Sequence, residues 1–247
     1  MKKLAFTLLM FLVLLPLVSH AADVTLMPVS VQLNRSNDRA TVQVMNNGSQ
    51  PVIMQAEAIA WTRVDGKDID GATSDIIVNP PVFTVQPGQT QIVRLGLRRS
   101  QDLQQEGTYR MVLREVPGLN LSDIGNVSGS VRVLVALRVP IYVAPTRVVR
   151  EERWQLRQDG DGHMVASISN AGNVHVKVSE LRLQGAGTDG MVIEQKGPNA
   201  VLFPGEERSF KLSRVSPADA KSATLQVTTD QGLQQIAYSG QGSSAPR

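Results

Sequence analysis

Apolar and polar residues alternate along most of this chain in short runs with a period of two, the spacing of a half-buried strand. Ala40 to Met45 alternates and stops at Asn46-Asn47-Gly48-Ser49, a turn signal. Val52 to Trp61 is the next run, and Asp65-Gly66-Lys67-Asp68 marks a turn after it. Val82 to Val85 leads into Pro87-Gly88, and Gln91 to Leu97, Thr108 to Val116 and Val127 to Val143 follow. Turn chemistry recurs about every 10 residues, and about seven short strands at that spacing predict an all-β sandwich of immunoglobulin type.

The second half repeats the style. Trp154 to Arg157 and His163 to Ile168 flank Asp159-Gly160-Asp161-Gly162, and Ser169 to Asn173 is a further turn. Val174 to Leu183, Val201 to Phe203, Arg208 to Leu212 and Ala223 to Thr228 complete the set. Asn46-Asn47-Gly48 is echoed by Asn170-Ala171-Gly172, and Pro87-Gly88 by Pro204-Gly205. Two sandwich domains of one architecture are expected, at 22–145 and 146–240, parting near Ala144-Pro145-Thr146, with a tail at 241–247. No helix longer than a turn or two is expected, with Ser100 to Glu106 and Pro217 to Lys221 as the short ones.

The first 21 residues do not fit this pattern. Lys2 and Lys3 precede a nearly pure apolar run from Leu4 to Leu17, and Ser19-His20-Ala21 places small residues where a signal peptidase reads. This is the layout of a secretory signal. The run is shorter than the roughly 20 residues of a spanning helix. Cleavage and delivery to a bacterial periplasm are expected. Losing Lys2 and Lys3 takes the net charge from +3 to +1, so the pI of 9.4 makes no case for nucleic acid. The later run from Val131 to Val143 is broken by Arg132 and Arg138, and no stable membrane insertion is expected. There is no cysteine, so the fold must be held by burial alone even where disulfides could form.

Candidate chemistry is sparse. Gly185 to Gly190 spells G-x-G-x-x-G, but the residues after it run Met-Val-Ile-Glu-Gln-Lys-Gly-Pro and supply no helix to face a pyrophosphate. The Asp/Gly runs at Asp65 to Asp70 and Asp159 to Gly162 lack the distal acidic ligand of a calcium loop. His163 and His175 lie in or beside different strands, with no acidic-plus-serine pattern nearby. No enzyme activity, metal or cofactor is expected.

One run stands apart. From Val131 to Val143 every odd position is large and apolar, which puts them all on one face. A run that long exceeds the usual five or six residues of a strand. Pro140 has no backbone donor and suits an edge or a strand end. By pattern alone the strand is either buried in its own sandwich or offered to a partner by strand addition.

Several stretches together resemble the periplasmic chaperones that assemble bacterial pili. They are Asn46 to Pro51 with the strand ending at Trp61, the stretch Asn79 to Leu95, Tyr109 to Pro117, and the long strand after it. Leu202-Phe-Pro-Gly205 carries a weaker likeness in the second half. The resemblance implies a boomerang of two immunoglobulin-like domains, acting by chaperone–pilin donor-strand complementation. It implies Val131, Val133, Val135 and Leu137 as the side chains lent to a pilus subunit, with transfer to an outer-membrane usher. The free chaperone would be able to cap its own edge by self-association. Such chaperones also anchor the subunit's C-terminal carboxylate with a first-strand arginine and a late donor-strand lysine. Here those places fall at Pro28 to Ser30 and at Pro140, which suggests a divergent or archaic branch. Arg94 and Arg138 are the expected replacements, since a guanidinium can bond a carboxylate at two points. Glu106, Arg147 and Asp230 stand where the family often has an interdomain ion-pair set. The competing expectation is a client-free periplasmic or surface adhesion module.

Overall fold

The structure, a computed structural model, describes residues 23–99, 102–117, 134–185, 192–197 and 199–241, apart from the side chains at 193, 240 and 241. The expected signal and tail, Val131, Val133 and most of the Gly185 to Gly190 motif lie outside the described residues.

The chain forms two immunoglobulin-like β-sandwich domains. Its contacts group into two compact units, one of residues 1–31, 39–98 and 109–140, the other of 32–38, 99–108 and 141–247. Among the described residues are β1 (Val24–Met27), β2 (Val31–Leu33), β3 (Arg39–Asn46), β4 (Val52–Val64), β5 (Lys67–Ala72) and β6 (Ile76–Asn79). Next come β7 (Val82–Val85), β8 (Thr90–Leu97), β9 (Gly107–Val116) and β10 (Ala136–Val143). One sheet runs β1-β3-β8-β6 and the other β2-β10-β9-β4-β5, with β7 beside β4. Period-two alternation explains the core. Val42 pairs with Val93 and Ala40 with Leu95 across β3 and β8, and Ala56 pairs with Leu113 across β4 and β9. Val42, Val93, Leu95, Ala56, Met111 and Leu113 are all buried.

The second sandwich contains β11 (Glu152–Gln158), β12 (His163–Asn170), β13 (Val176–Gln184), β14 (Val192–Lys196), β15 (Ala200–Leu202), β16 (Glu207–Arg214), the short helix α1 (Pro217–Ala220), β17 (Thr224–Thr229) and β18 (Gly232–Gln241). Its strand path is β14-β13-β17-β18-β11-β12-β16, with β15 beside β13. Strand β18 is antiparallel to β17 and parallel to β11. In β13 the buried positions switch from Val176 and Val178 to Leu181 and Leu183. A register shift between Val178 and Glu180 causes the switch, because one extra residue reverses which side chains face inward.

The repeated Asn and Pro-Gly signals turn out to be one device built twice. Asn46 is fully buried, and its Nδ2 donates to the carbonyls of Gln50 at 2.7 Å and Val85 at 3.0 Å. Its Oδ1 accepts from Gly48 N at 2.9 Å, and its carbonyl accepts from Gly88 N at 2.8 Å. Asn170 does the same with Val174, Leu202, Gly172 and Gly205, at 2.8, 3.2, 3.1 and 2.8 Å. Gly88 and Gly205 have φ of +70° and +82°, the left-handed conformation that glycine adopts at no steric cost. Each asparagine therefore clasps the end of its strand to a distant turn.

One expectation fails. Within the described residues 102–106 no helix forms. The backbone groups there bond elsewhere, since Thr146 N donates to Leu103 O, Asn173 Nδ2 to Gln104 O, and Glu106 N to Asn173 O. These distant partners outcompete a local turn of helix. The single turn α1 does form, capped by the Ser216 hydroxyl, which accepts from Asp219 N.

Asn46→Ala and Asn170→Ala should each cost about 2–4 kcal/mol, because buried donors and acceptors lose their partners. Urea unfolding measures this, and a loss below about 0.5 kcal/mol at either position would show that the clasp is dispensable.

Candidate functional site

Strand β10 changes character along its length. Val139, Ile141 and Val143 are buried, and by alternation Val135 and Leu137 lie on that same face. Yet Val135 and Leu137 are only half-buried, and Leu134 is 45% exposed. On one side β10 has β9, and on the other it has β2, which is three residues long against the eight of β10. Part of that edge is therefore left without a strand neighbour among the described residues. Pro140 sits within β10, so the strand also offers one hydrogen-bond donor fewer.

Glu115 fixes the entry to this strand. Its N–H donates to Val135 O at 2.9 Å, and its carboxylate accepts from Val135 N at 3.2 Å. In sequence, Glu115 was legible only as part of a motif, because nothing in the spacing names Val135 as its partner.

Beside the strand runs a ladder of charges. Arg138 on β10 donates through Nη1 to Asp70 Oδ2 at 2.5 Å. Arg110 on β9 donates to Asp70 Oδ1 at 3.1 Å and to Asp68 Oδ2 at 2.5 Å. Arg63 on β4 donates through Nε to Asp68 Oδ1 at 3.0 Å. The two aspartates lie on β5, whose hairpin turn Asp65-Gly66 has φ of 51° and 72°. Such a two-residue turn suits the twist of paired strands and sets which residues face each other. Trp61 pairs with Asp70, and the Arg110 guanidinium lies 3.8 Å from its ring centroid. That cover helps leave Trp61 only 5% exposed on a face it shares with Glu57 and Arg63. Burial pushes the Asp68 carboxyl upward, but its bonds from Arg110, Arg63 and Trp61 outweigh this and hold it at about 2. Arg114 and Glu57 pair on the neighbouring stretch of β9 and β4.

The other sequence candidates fall elsewhere. Arg94 is exposed on β8, opposite Thr41 and Asn79, so it belongs to a different sheet from Arg138. Glu106, Arg147 and Asp230 all fall in the second unit. The buried Glu106 carboxylate accepts from His175 N at 2.9 Å and lies 2.7 Å from His175 Nδ1. The His175 ring stacks on Tyr142 with centroids 3.7 Å apart. Asp230 accepts from Lys177 N, and the Arg147 carbonyl accepts from Asn173 Nδ2. Asp159 spends its Oδ1 on the N–H groups of Asp161 and His163, with Lys211 Nζ 3.3 Å from its Oδ2. That carboxylate holds a turn. No helix among the described residues is long and apolar enough to cross a membrane.

The family model for the pili and flagellar-assembly chaperone, PapD N-terminal domain, matches residues 23–149. Comparison with curated protein sequences finds no match. Solved structures with the same fold include the CsuC–CsuE chaperone–tip adhesion subunit pre-assembly complex from the archaic chaperone-usher Csu pili of Acinetobacter baumannii. That chain is 15% identical, with 90% of this chain and 100% of that one covered and a TM-score of 0.60. The E. coli chaperone DraB is 17% identical over 90% of this chain and 98% of that one, with a TM-score of 0.59. The Salmonella enterica SafA pilin–SafB chaperone complex gives 15%, 89%, 98% and 0.57. At these identities the likeness is one of fold.

Arg110→Ala should return the Asp68 carboxyl toward the ordinary range near 3.9. A group held low in the folded state adds stability that is present above its unfolded pKa and lost as pH falls through the folded one. The wild-type ladder should therefore weaken only between about pH 4 and about pH 2. Carboxyl carbon shifts followed by NMR titration check both statements. An Asp68 titration that Arg110→Ala leaves unchanged would remove that arginine from the cause.

Proposed function

This chain belongs to the PapD-type pili and flagellar-assembly chaperone family, and from that premise we propose that it is a periplasmic chaperone that binds and caps pilus subunits by donor-strand complementation. The family works by binding, not by catalysis. The carrying observation is β10, whose one apolar face is committed to its own core from Val139 onward and left half-open at Val135 and Leu137. In this reading Val131, Val133, Val135 and Leu137 enter the unfinished sandwich of a subunit, and backbone hydrogen bonds along the edge supply affinity. Full burial of a Val or Leu side chain contributes roughly 1.5–3 kcal/mol, and Val135 and Leu137 have part of that still to gain. Structural neighbours captured in complexes, CsuC with CsuE and SafB with SafA pilin, support the same use of the fold.

The reading includes export through residues 1–21, domains at 22–145 and 146–240, and handover of the bound subunit to an outer-membrane usher. It also includes a carboxylate anchor. The Asp70 carboxylate, on β5, lies between two guanidiniums, Arg110 of β9 and Arg138 of β10. That arrangement supports Arg138, with Arg110, as the seat for a subunit's C-terminal carboxylate. Arg94, on the other sheet, has no such company.

Co-expression with the pilus subunits encoded beside this gene should give a soluble one-to-one complex. Val133→Asp with Val135→Asp should abolish it while leaving the chaperone folded. A complex that survives both changes would sink the donor-strand assignment, and unfolding with no complex in the wild type would favour a client-free adhesion module. Arg138→Ala should weaken the complex about tenfold, the effect of ~1.5 kcal/mol from one charge-assisted bond. Arg94→Ala should leave it within twofold, and the reverse ranking would move the anchor to the other sheet.

A further inference from the structure

We infer that Asp70 is an internal competitor for the carboxylate site, parking Arg138 until a peptide C-terminal carboxylate replaces it. The inference rests on the reading that β10 binds a subunit.

The ladder contains three guanidiniums, from Arg63, Arg110 and Arg138, and two carboxylates, from Asp68 and Asp70. The contacts are not shared evenly. The side chains of Arg63 and Arg110 are 9% and 13% exposed, and Asp68 holds both. Arg110 also has the Trp61 ring beneath it. Arg138 is 48% exposed, and its charge partner among the described residues is Asp70. An added anion therefore finds its best unclaimed donors on Arg138.

Asp70 is suited to yielding. Its side chain is 32% exposed, and it stands on β5, an edge strand with all six residues exposed. Its other oxygen is already on Arg110, so releasing Arg138 does not strand it. A carboxylate arriving along β10 would take over the Nη donors of Arg138 while Asp70 stays bonded to Arg110. A ligand that brings no carboxylate leaves Arg138 on Asp70 and neither gains nor loses by it. Asp70 thus lowers the advantage of a chain end over an internal segment of the same apolar pattern, and keeps the binding of a chain end reversible.

The test uses the full chaperone and the neighbouring pilus subunit in two forms, one with its natural C-terminus and one extended by two glycines. Asp70→Asn should tighten the natural subunit about two- to five-fold, the range that loss of one exposed ion pair spans. It should leave the extended subunit unchanged or tighten it less. Asp68→Asn, which keeps the Asp70–Arg138 contact, should give no gain. In an Arg138→Ala background, Asp70→Asn should have no further effect, since the two residues act through one bond. Unchanged or weakened binding by Asp70→Asn, or equal tightening of both subunit forms, would overturn the inference and leave the donor-strand reading standing. Absence of any complex with wild-type protein would overturn both.

Discussion

A strand has one inward face, and β10 divides its own between two uses. The odd positions Val139, Ile141 and Val143 are buried. Val135 and Leu137 share that face yet are left half-buried. Most of what surrounds the strand serves this division. Glu115 pins Val135 by backbone and carboxylate, β2 covers only a short length of the edge, and the charge ladder lies alongside. Moving the boundary toward Val135 would gain self-packing and lose the open face.

The fold was largely legible because it is written in period-two patterning and in turn residues. Strands β3, β4, β8, β9, β12 and β16 lie where alternation put them. The doubled Asn and Pro-Gly signals marked a real duplication, since Asn46 and Asn170 make matching sets of bonds. What escaped was short or polar. Strand β5 reads Lys-Asp-Ile-Asp-Gly-Ala, which looks like turn composition, and it becomes a strand because the Asp65-Gly66 hairpin lays it against β4. The helix expected from 100 to 106 failed for the opposite reason, as Asn173 and Thr146 claim the backbone groups a helix would use.

The candidate site was legible in its apolar half only. Alternation alone marks the face of Val135 and Leu137. The polar half is a matter of cross-strand register, which no local pattern reports. Arg138 was reached through the family resemblance, but Arg110, Asp68 and Asp70 are 28 to 70 positions away from it in sequence and meet it only through the order β10-β9-β4-β5. The resemblance pairs Arg94 with Arg138, and β-sheet membership separates the two. The same holds for Glu106, whose partner His175 lies in a different run from the arginine and aspartate first grouped with it.

The shared parity of β10 also sets a length scale. Because Val139, Ile141 and Val143 are fixed in the core, the side on which residues 135 and 137 project is fixed with them. A chain aligned along this edge cannot slide by one residue without turning its apolar side chains the wrong way. It can slide only by two, a jump of roughly 6.8 Å. The strand therefore works as a ruler with coarse graduations, and small errors in placement have no intermediate position in which to settle.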